Sequence, residues 1–281
     1  MKKKMKVILI IICTVILVLG ISVSIAVGHF VGFPECVGEK KTAFHTEEIH
    51  VQHDGIDLYG IALIPDGDGP FPTVIYAHGA ESDHKADMTT LKSLTMSGIA
   101  CYTFDFYGWS TRSTGPQKGD WFKNQPRGVD ERYEKQVLEQ VKDLNAVIET
   151  VKGFNFVDAN RLYLLGSSMG GATVAACSVT HSEDIRAIIL QFPAINLVPT
   201  ATVDGGEYDV NQYTPDVLLL QGTEDTIVPQ SMSDALAVHY NQLRPDPCRY
   251  VVYERQPHVF TGKYKVEAAR EIYRFIQEHQ P

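Results

Sequence analysis

The chain opens on one long apolar run and then alternates between short apolar stretches and amphipathic ones. From Val7 to Val27 the run is broken only by Cys13, Thr14, Gly20, Ser22 and Ser24. Roughly 20 apolar residues suffice for a helix to cross a bilayer, and this run has no polar face. It predicts a membrane helix within residues 1–28. Lys2, Lys3, Lys4 and Lys6 precede it, which orients the N-terminus to the cytoplasm and the rest outside. Two forms stay open: an uncleaved signal anchor, and a signal peptide cut near Ser24-Ile25-Ala26. Signal-peptide cores are usually about 7–15 residues, so the length favours the anchor.

Residues 29–45 read as a short linker, and 46–281 as one domain. Glu48–His53 and Ile56–Ile64 predict a hairpin turned at Asp54-Gly55. Thr73–Ala77 is a short buried strand ending at His78-Gly79. Ala86–Ser97 reads as a helix closed by Gly98, and Ile99–Phe106 as the next strand. Residues 107–128, rich in Gly, Pro, Ser and Lys, read as a long loop holding Trp109 and Trp121. Val137, Val141, Leu144 and Ile148 form one stripe of a helix over 129–152. Then come a strand at Arg161–Leu165, a helix at Ala172–Val179 and a strand at Ile185–Gln191. After an irregular polar stretch, 193–215, the strands Val217–Gln221 and Cys248–Tyr253 flank a helix around Ser231–Leu243. Ala268, Ile272, Phe275 and Ile276 mark a last helix, Lys265–His279. Strands alternating with helices predict an α/β domain: a mostly parallel sheet with helices on both faces.

Composition changes this picture little. A chain of 281 residues with 44% hydrophobic and 21% charged residues is globular and suits one large core. Charge is more telling. The net charge is −9, and without the four leading lysines 21 basic residues face 34 acidic ones, a net of −13. So acidic a body repels polyanions, and nucleic acid is not expected as a partner. The five cysteines show no CxxC or Cys/His cluster, so no metal site is expected. Cys101 and Cys177 sit in apolar stretches as small core residues, and whether Cys36 and Cys248 pair stays open.

The candidate chemistry centres on Gly166-Ser167-Ser168-Met169-Gly170. A buried strand precedes it and an Ala/Gly-rich helix follows. A sharp strand-to-helix turn holds its central serine in strained backbone geometry. Glycines two residues either side relieve the crowding. Such a turn lifts the Ser168 hydroxyl to the C-terminal sheet edge, where these sheets bind ligands. Ser167 lacks the flanking glycines and is read as packing. Standing alone, the pentapeptide would be a Gly-rich turn joining strand to helix.

A serine nucleophile needs a base, and the base needs an orienting acid. On such turns the acid and then the base come later in the chain. Asp225 lies in Gly222-Thr223-Glu224-Asp225, just past a strand end. Glu224 is a rival in the same loop, and Asp216 falls before its strand, on the wrong edge. His258 follows the last strand within Gln256-Pro257-His258-Val259-Phe260; His239 and His279 read as surface residues, and His181 follows the nucleophile helix at its far end. Acyl transfer also needs two N–H groups for the developing oxyanion. Met169, after the nucleophile, offers one, and Ala80, after His78-Gly79, the other.

Together these residues resemble the α/β-hydrolase superfamily. The likeness runs from about residue 46 to the end, on His78-Gly79-Ala80, the passage Gly98–Gly108, Gly166–Gly170, Gly222–Pro229 and Pro257–Phe260. It implies the α/β-hydrolase fold, a Ser-His-Asp triad and no cofactor. Gly98-Ile99-Ala100 leading to Phe104-Asp105-Phe106-Tyr107-Gly108 is most similar to the esterase and serine-aminopeptidase-like branch, which includes cinnamoyl and feruloyl esterases. The chain departs at Trp109-Ser110-Thr111-Arg112-Ser113, where many relatives have Gly-x-Gly-x-Ser, and its lid region 193–215 is short.

The expected activity is extracytoplasmic cleavage of a carboxylic ester through an acyl-enzyme. Trp109 and Trp121 are candidates to line the pocket, or to anchor packing. A peptidase acting on short peptides is the second reading, with Asp204, Glu207 and Asp209 offering charge for a substrate amine. The third is a membrane-tethered binding protein on a dead scaffold. Such scaffolds usually lose a triad member, and this chain has all three.

Overall fold

The computed structural model describes residues 33–108, 129–197 and 215–281. The expected membrane run, Trp109, Trp121 and most of the 193–215 lid lie outside them. Among the described residues, no helix is long and apolar enough to cross a membrane.

Among the described residues, eight strands form one sheet. They are β1 (Phe44–His53), β2 (Ile56–Pro65), β3 (Phe71–Ala77), β4 (Ala100–Phe104), β5 (Val157–Ser167), β6 (Ala187–Gln191), β7 (Asp216–Gly222) and β8 (Cys248–Tyr253). Their order is β1-β2-β4-β3-β5-β6-β7-β8. β1 with β2 and β2 with β4 run antiparallel, and every pair from β4 to β8 is parallel. The helices are α1 (Met88–Thr95), α2 (Val129–Val151), α3 (Met169–Thr180), α4 (Gln230–Leu243) and α5 (Lys263–Glu278), with a short 3₁₀ turn at Ile195–Leu197.

The central strands are apolar on both sides because helices cover both faces. Successive strand residues point to opposite faces. Thus Ile75, Leu164, Ile188 and Leu219 pack with α2, α3 and α4. Their neighbours Val74, Leu165, Ile189 and Leu218 pack with α1 and α5. Truncating one such residue, as in Leu164→Ala, costs about 2–5 kcal/mol.

Most differences from expectation lie at element ends. β1 starts at Phe44, not Glu48, because its first residues are exposed and carry no buried periodicity. β5 starts four residues before Arg161. α1 starts at Met88 because Asp87 takes a left-handed conformation, φ 52°, which starts no helix. α3 begins at Met169, directly after Ser168. The described part of the expected linker lies against the domain. The Val37 and Gly38 N–H groups donate to Ser97 Oγ at 2.8 and 2.9 Å, and Arg270 pairs with Glu35 at 2.8 Å. Cys36 and Cys248 are both free thiols.

The parallel register matters most for the site. Ala77 pairs with Gly166, Ser167 with Gln191 and Gly222 with Tyr253. The loops after β3, β5, β6, β7 and β8 therefore leave from one edge of the sheet.

Candidate active site

Ser168 stands between β5 and α3 with φ 55° and ψ −119°. A side-chain-bearing residue there stores about 1–3 kcal/mol of strain. Its surroundings hold it in place. Its N–H donates to Gln191 O at 3.0 Å, and its carbonyl accepts from Ala172 and Ala194 at 3.2 and 3.0 Å. The flanking glycines are required by close backbone approach. A Cβ on Gly170 would lie 2.1 Å from Ala77 O, and one on Gly166 would lie 2.4 Å from Gly170 O.

His258 reaches this serine from the loop after β8. Its Nε2 lies 2.9 Å from Ser168 Oγ, and its Nδ1 lies 2.8 Å from Asp225 Oδ2. The carboxylate can only accept, so Nδ1 carries the proton and Nε2 is left to accept from the serine hydroxyl. Phe192 packs on the imidazole, ring centroids 4.8 Å apart. Asp225 is held independently. Oδ1 accepts from the Ile227 and Val228 N–H groups, both at 2.9 Å, and Oδ2 also accepts from Gln221 Nε2 at 3.1 Å. The Asp225 side chain is fully buried and that of His258 is 14% exposed. The acid is thus shielded while the base borders the cleft.

The rival residues lie elsewhere. Glu224 is exposed. Asp216 opens β7 at the opposite edge and pairs with Arg244 and His279. His181 sits with Asp184, and His239 lies within α4.

The two expected oxyanion donors flank Ser168. Met169 opens α3, so its N–H has no intrahelical acceptor. Among the described residues no hydrogen bond uses the Ala80 N–H. Gly79 beside it would place a Cβ 3.2 Å from Ser168 Cβ, so this loop passes directly against the serine. Two side chains fix that loop: His78, which the sequence reading names only as part of the His78-Gly79-Ala80 motif, and His84, which it does not single out. His78 is buried; its Nδ1–H donates to Gly79 O at 2.9 Å and its Nε2 accepts from Phe106 N–H at 3.3 Å. Burial holds its pKa below the ordinary histidine value, which keeps the ring neutral and able to accept. His84 bonds Asp105 through both its N–H (2.7 Å) and Nδ1 (2.9 Å). Both ties join the loop after β3 to the residues after β4. The sequence signal was only their place at two neighbouring strand ends.

Ser167 supports the turn from below: its hydroxyl donates to Gln191 Oε1 at 2.8 Å. The cleft above Ser168 holds about 200 Å³, walled by Gly79, Ala80, Phe192, His258 and Phe260. Trp109 and Trp121, expected as lining, lie outside the described residues, as do Asp204, Glu207 and Asp209.

Comparison with known proteins bears on the family and the fold. Residues 68–207 match the family model described as "Serine aminopeptidase, S33". The chain is 26% identical to the uncharacterized protein YfhR of Salmonella typhimurium over 254 residues, 80% of this chain and 78% of YfhR. Est1E from Butyrivibrio proteoclasticus, solved with ferulic acid bound, shares the fold at a TM-score of 0.65 and 20% identity, covering 82% of this chain and 98% of Est1E. A dienelactone hydrolase from Anabaena variabilis does so at 0.66 and 16%, covering 85% and 99%. At these identities both structures speak to the fold alone.

Proposed function

We propose that this chain, a hydrolase by its match to the serine aminopeptidase family model and of α/β-hydrolase fold, cleaves carboxylic esters through an acyl-enzyme on Ser168. The observation that carries this is the hydrogen-bonded chain Asp225–His258–Ser168. Ser168 Oγ attacks the ester carbonyl while His258 Nε2 takes its proton. The oxyanion receives the N–H groups of Ala80 and Met169; losing one such donor typically costs about 10²–10³ in kcat. The intermediate collapses, the C–O bond to the alcohol breaks, and His258 returns the proton to the leaving oxygen. Water, activated by the same imidazole, then releases the acid and restores Ser168. Asp225 fixes the tautomer and stabilises the imidazolium.

The family model's description supports a second reading, a peptidase on short peptides. The small cleft suits short substrates in either case. We further propose that residues 7–27 tether the domain, as a signal anchor, to the outer face of the cell membrane, with the residues between that run and β1 joining it to the catalytic domain.

A panel of acyl esters and aminoacyl arylamides, run with wild type and Ser168→Ala, tests the reaction. Ester cleavage lost in the variant is expected. Arylamide turnover exceeding ester turnover favours the peptidase. Ester cleavage retained in the variant overturns the nucleophile, and a fluorophosphonate probe that fails to label wild type turns the reading toward a non-catalytic scaffold. Fractionation and the mature N-terminal sequence test the tether.

A further inference from the structure

The cleft beside Ser168 is apolar along most of its walls, but one end is not. Asp87, Thr90, Gln191 and Lys265 line it there, between the start of α1 and the first turn of α5. Asp87 is held in a left-handed conformation, φ 52°, and accepts a hydrogen bond from Thr90 Oγ1 at 2.8 Å. Gln191 accepts at Oε1 from Ser167, the neighbour of the nucleophile, and its amide faces Asp87. Burial raises the pKa of this carboxyl group, and the Thr90 hydroxyl, the Lys265 charge and the Gln191 amide work against that rise; the group is fixed in direction and tied through Gln191 and Ser167 to the serine turn. Lys265 lines the same cleft. It is half-buried and acts electrostatically on Asp87. Among the described residues it makes no ion pair with Asp87 or with any other carboxylate.

This arrangement is unusual for two opposite charges. An exposed couple gains little from direct contact, but here the two groups line the same cleft without touching. The gap between them presents an acceptor on one side and a donor on the other. An anionic substrate group would meet Lys265 but be repelled by Asp87, and a cationic group the reverse. A neutral hydroxyl satisfies both: it donates to the carboxylate and accepts from the ammonium. A hydrocarbon there would desolvate the Lys265 ammonium without giving it an acceptor and would waste the remaining accepting capacity of Asp87, which is unfavourable.

We propose that Asp87 and Lys265 form a hydroxyl-recognising end of the cleft, so that the natural substrate is an ester carrying a free hydroxyl on the group seated beside Ser168. This rests on the esterase reading above and narrows its substrate class. Asp87 and Lys265 act as specificity-determining residues and take no part in bond breaking.

The test compares matched esters. One series pairs 4-nitrophenyl 3-hydroxybutyrate with 4-nitrophenyl butyrate; the other pairs a glycerol ester with the propyl ester of the same acid. In at least one series wild type is expected to favour the hydroxylated ester by about tenfold in kcat/KM, because a site built around a hydroxyl rejects the analogue lacking it. Asp87→Asn keeps the shape and tolerates the left-handed backbone; Lys265→Met keeps the stem. Each is expected to bring the ratio close to one. A wild-type ratio near one in both series, or a ratio unmoved in both variants, overturns the proposal. Failure of wild type to cleave any plain ester would instead overturn the esterase reading. Saturation-transfer NMR with non-hydrolysable ketone analogues of the same pairs still decides the proposal in that case: tighter binding of the hydroxylated ketone supports it, and equal binding overturns it.

Discussion

His258 and His53 each rest on a buried aspartate at almost the same distance, 2.8 Å to Asp225 and 2.9 Å to Asp143. The pair itself is therefore not what makes chemistry. His258 uses Nδ1 for its aspartate, which leaves Nε2 aimed at Ser168. His53 uses Nε2, and its Nδ1 faces the exposed Asp54 at 3.9 Å. Asp225 is held by its own loop and by Gln221, whatever the histidine does. Asp143 also accepts the Tyr107 N–H at 2.8 Å, so it ties the β1–β2 hairpin, α2 and the segment after β4 together. One couple is an orienting device at the C-terminal sheet edge. The other is a clamp between distant parts of the chain. The comparison teaches that the third partner and the edge define a catalytic pair.

Substitution should separate the two most sharply at the histidines. His258→Ala is expected to lower kcat/KM by about 10⁶ with little change in Tm, since triad members fail as a unit. His53→Ala is expected to keep kcat/KM within a few-fold and to lower Tm. Steady-state kinetics and a thermal melt on both variants check this; a large activity loss in His53→Ala would erase the distinction.

The aspartates should differ in the same sense, with smaller effects. Asp225→Asn allows the wrong imidazole tautomer and is expected to cost about 10⁴ in kcat. Asp143→Ala leaves His53 and the Tyr107 N–H without their acceptor and is expected to cost about 2–3 kcal/mol of stability in urea unfolding.

Two glycines sharpen the picture of the edge. A Cβ on Gly79 would sit 3.2 Å from both Ser167 O and Ser168 Cβ, so Gly79→Ala pushes on the serine without blocking the fold. Its kcat is expected to fall about 10- to 100-fold, the scale of a small misplacement of reacting groups. Gly170→Ala meets Ala77 O at 2.1 Å and is expected to yield no folded protein, read as absence of soluble enzyme on expression.

These features were unevenly legible in the sequence. Val74 to Ala77 or Leu162 to Leu165 announce buried strands because both sheet faces are covered. Ser168, Asp225 and His258 stand out because each follows a strand, which puts all three on one edge of the sheet. The exposed start of β1 and the left-handed Asp87 were not legible, since neither has hydrophobic periodicity to mark it. The two loop ties, His78 to Phe106 and His84 to Asp105, were hidden for another reason. They depend on β3 and β4 being neighbours, and the hairpin β1–β2 inserted beside β4 gives no hint of that order. Lys265 and Asp87, far apart in the chain, meet only because α1 and α5 share one face of the sheet.

The smallest effect concerns pH, and it again sets a clamp histidine against a site histidine. Burial lowers the pKa of His78 from its ordinary 6.5, while the hydrogen bond to Asp143 raises that of His53. The signs are opposite. For His78 the unfolded chain binds the proton more readily, so its contribution is present above pH 6.5 and is lost as pH falls from there through the lowered folded value. For His53 the folded chain binds the proton more readily, so its contribution is fully present below pH 6.5 and is lost as pH rises through the raised folded value. Burial also raises the Asp143 carboxyl, which acts with the same sign as His53. The raised but exposed His45 and His50 are common to all variants and cancel in a difference. Urea midpoints from pH 5 to 8 should therefore show the wild-type minus His53→Gln difference shrinking as pH rises. The wild-type minus His78→Asn difference should shrink as pH falls. Differences that run parallel would mean that the two rings do not titrate in opposite senses, and that His78 is not held neutral to accept the Phe106 N–H.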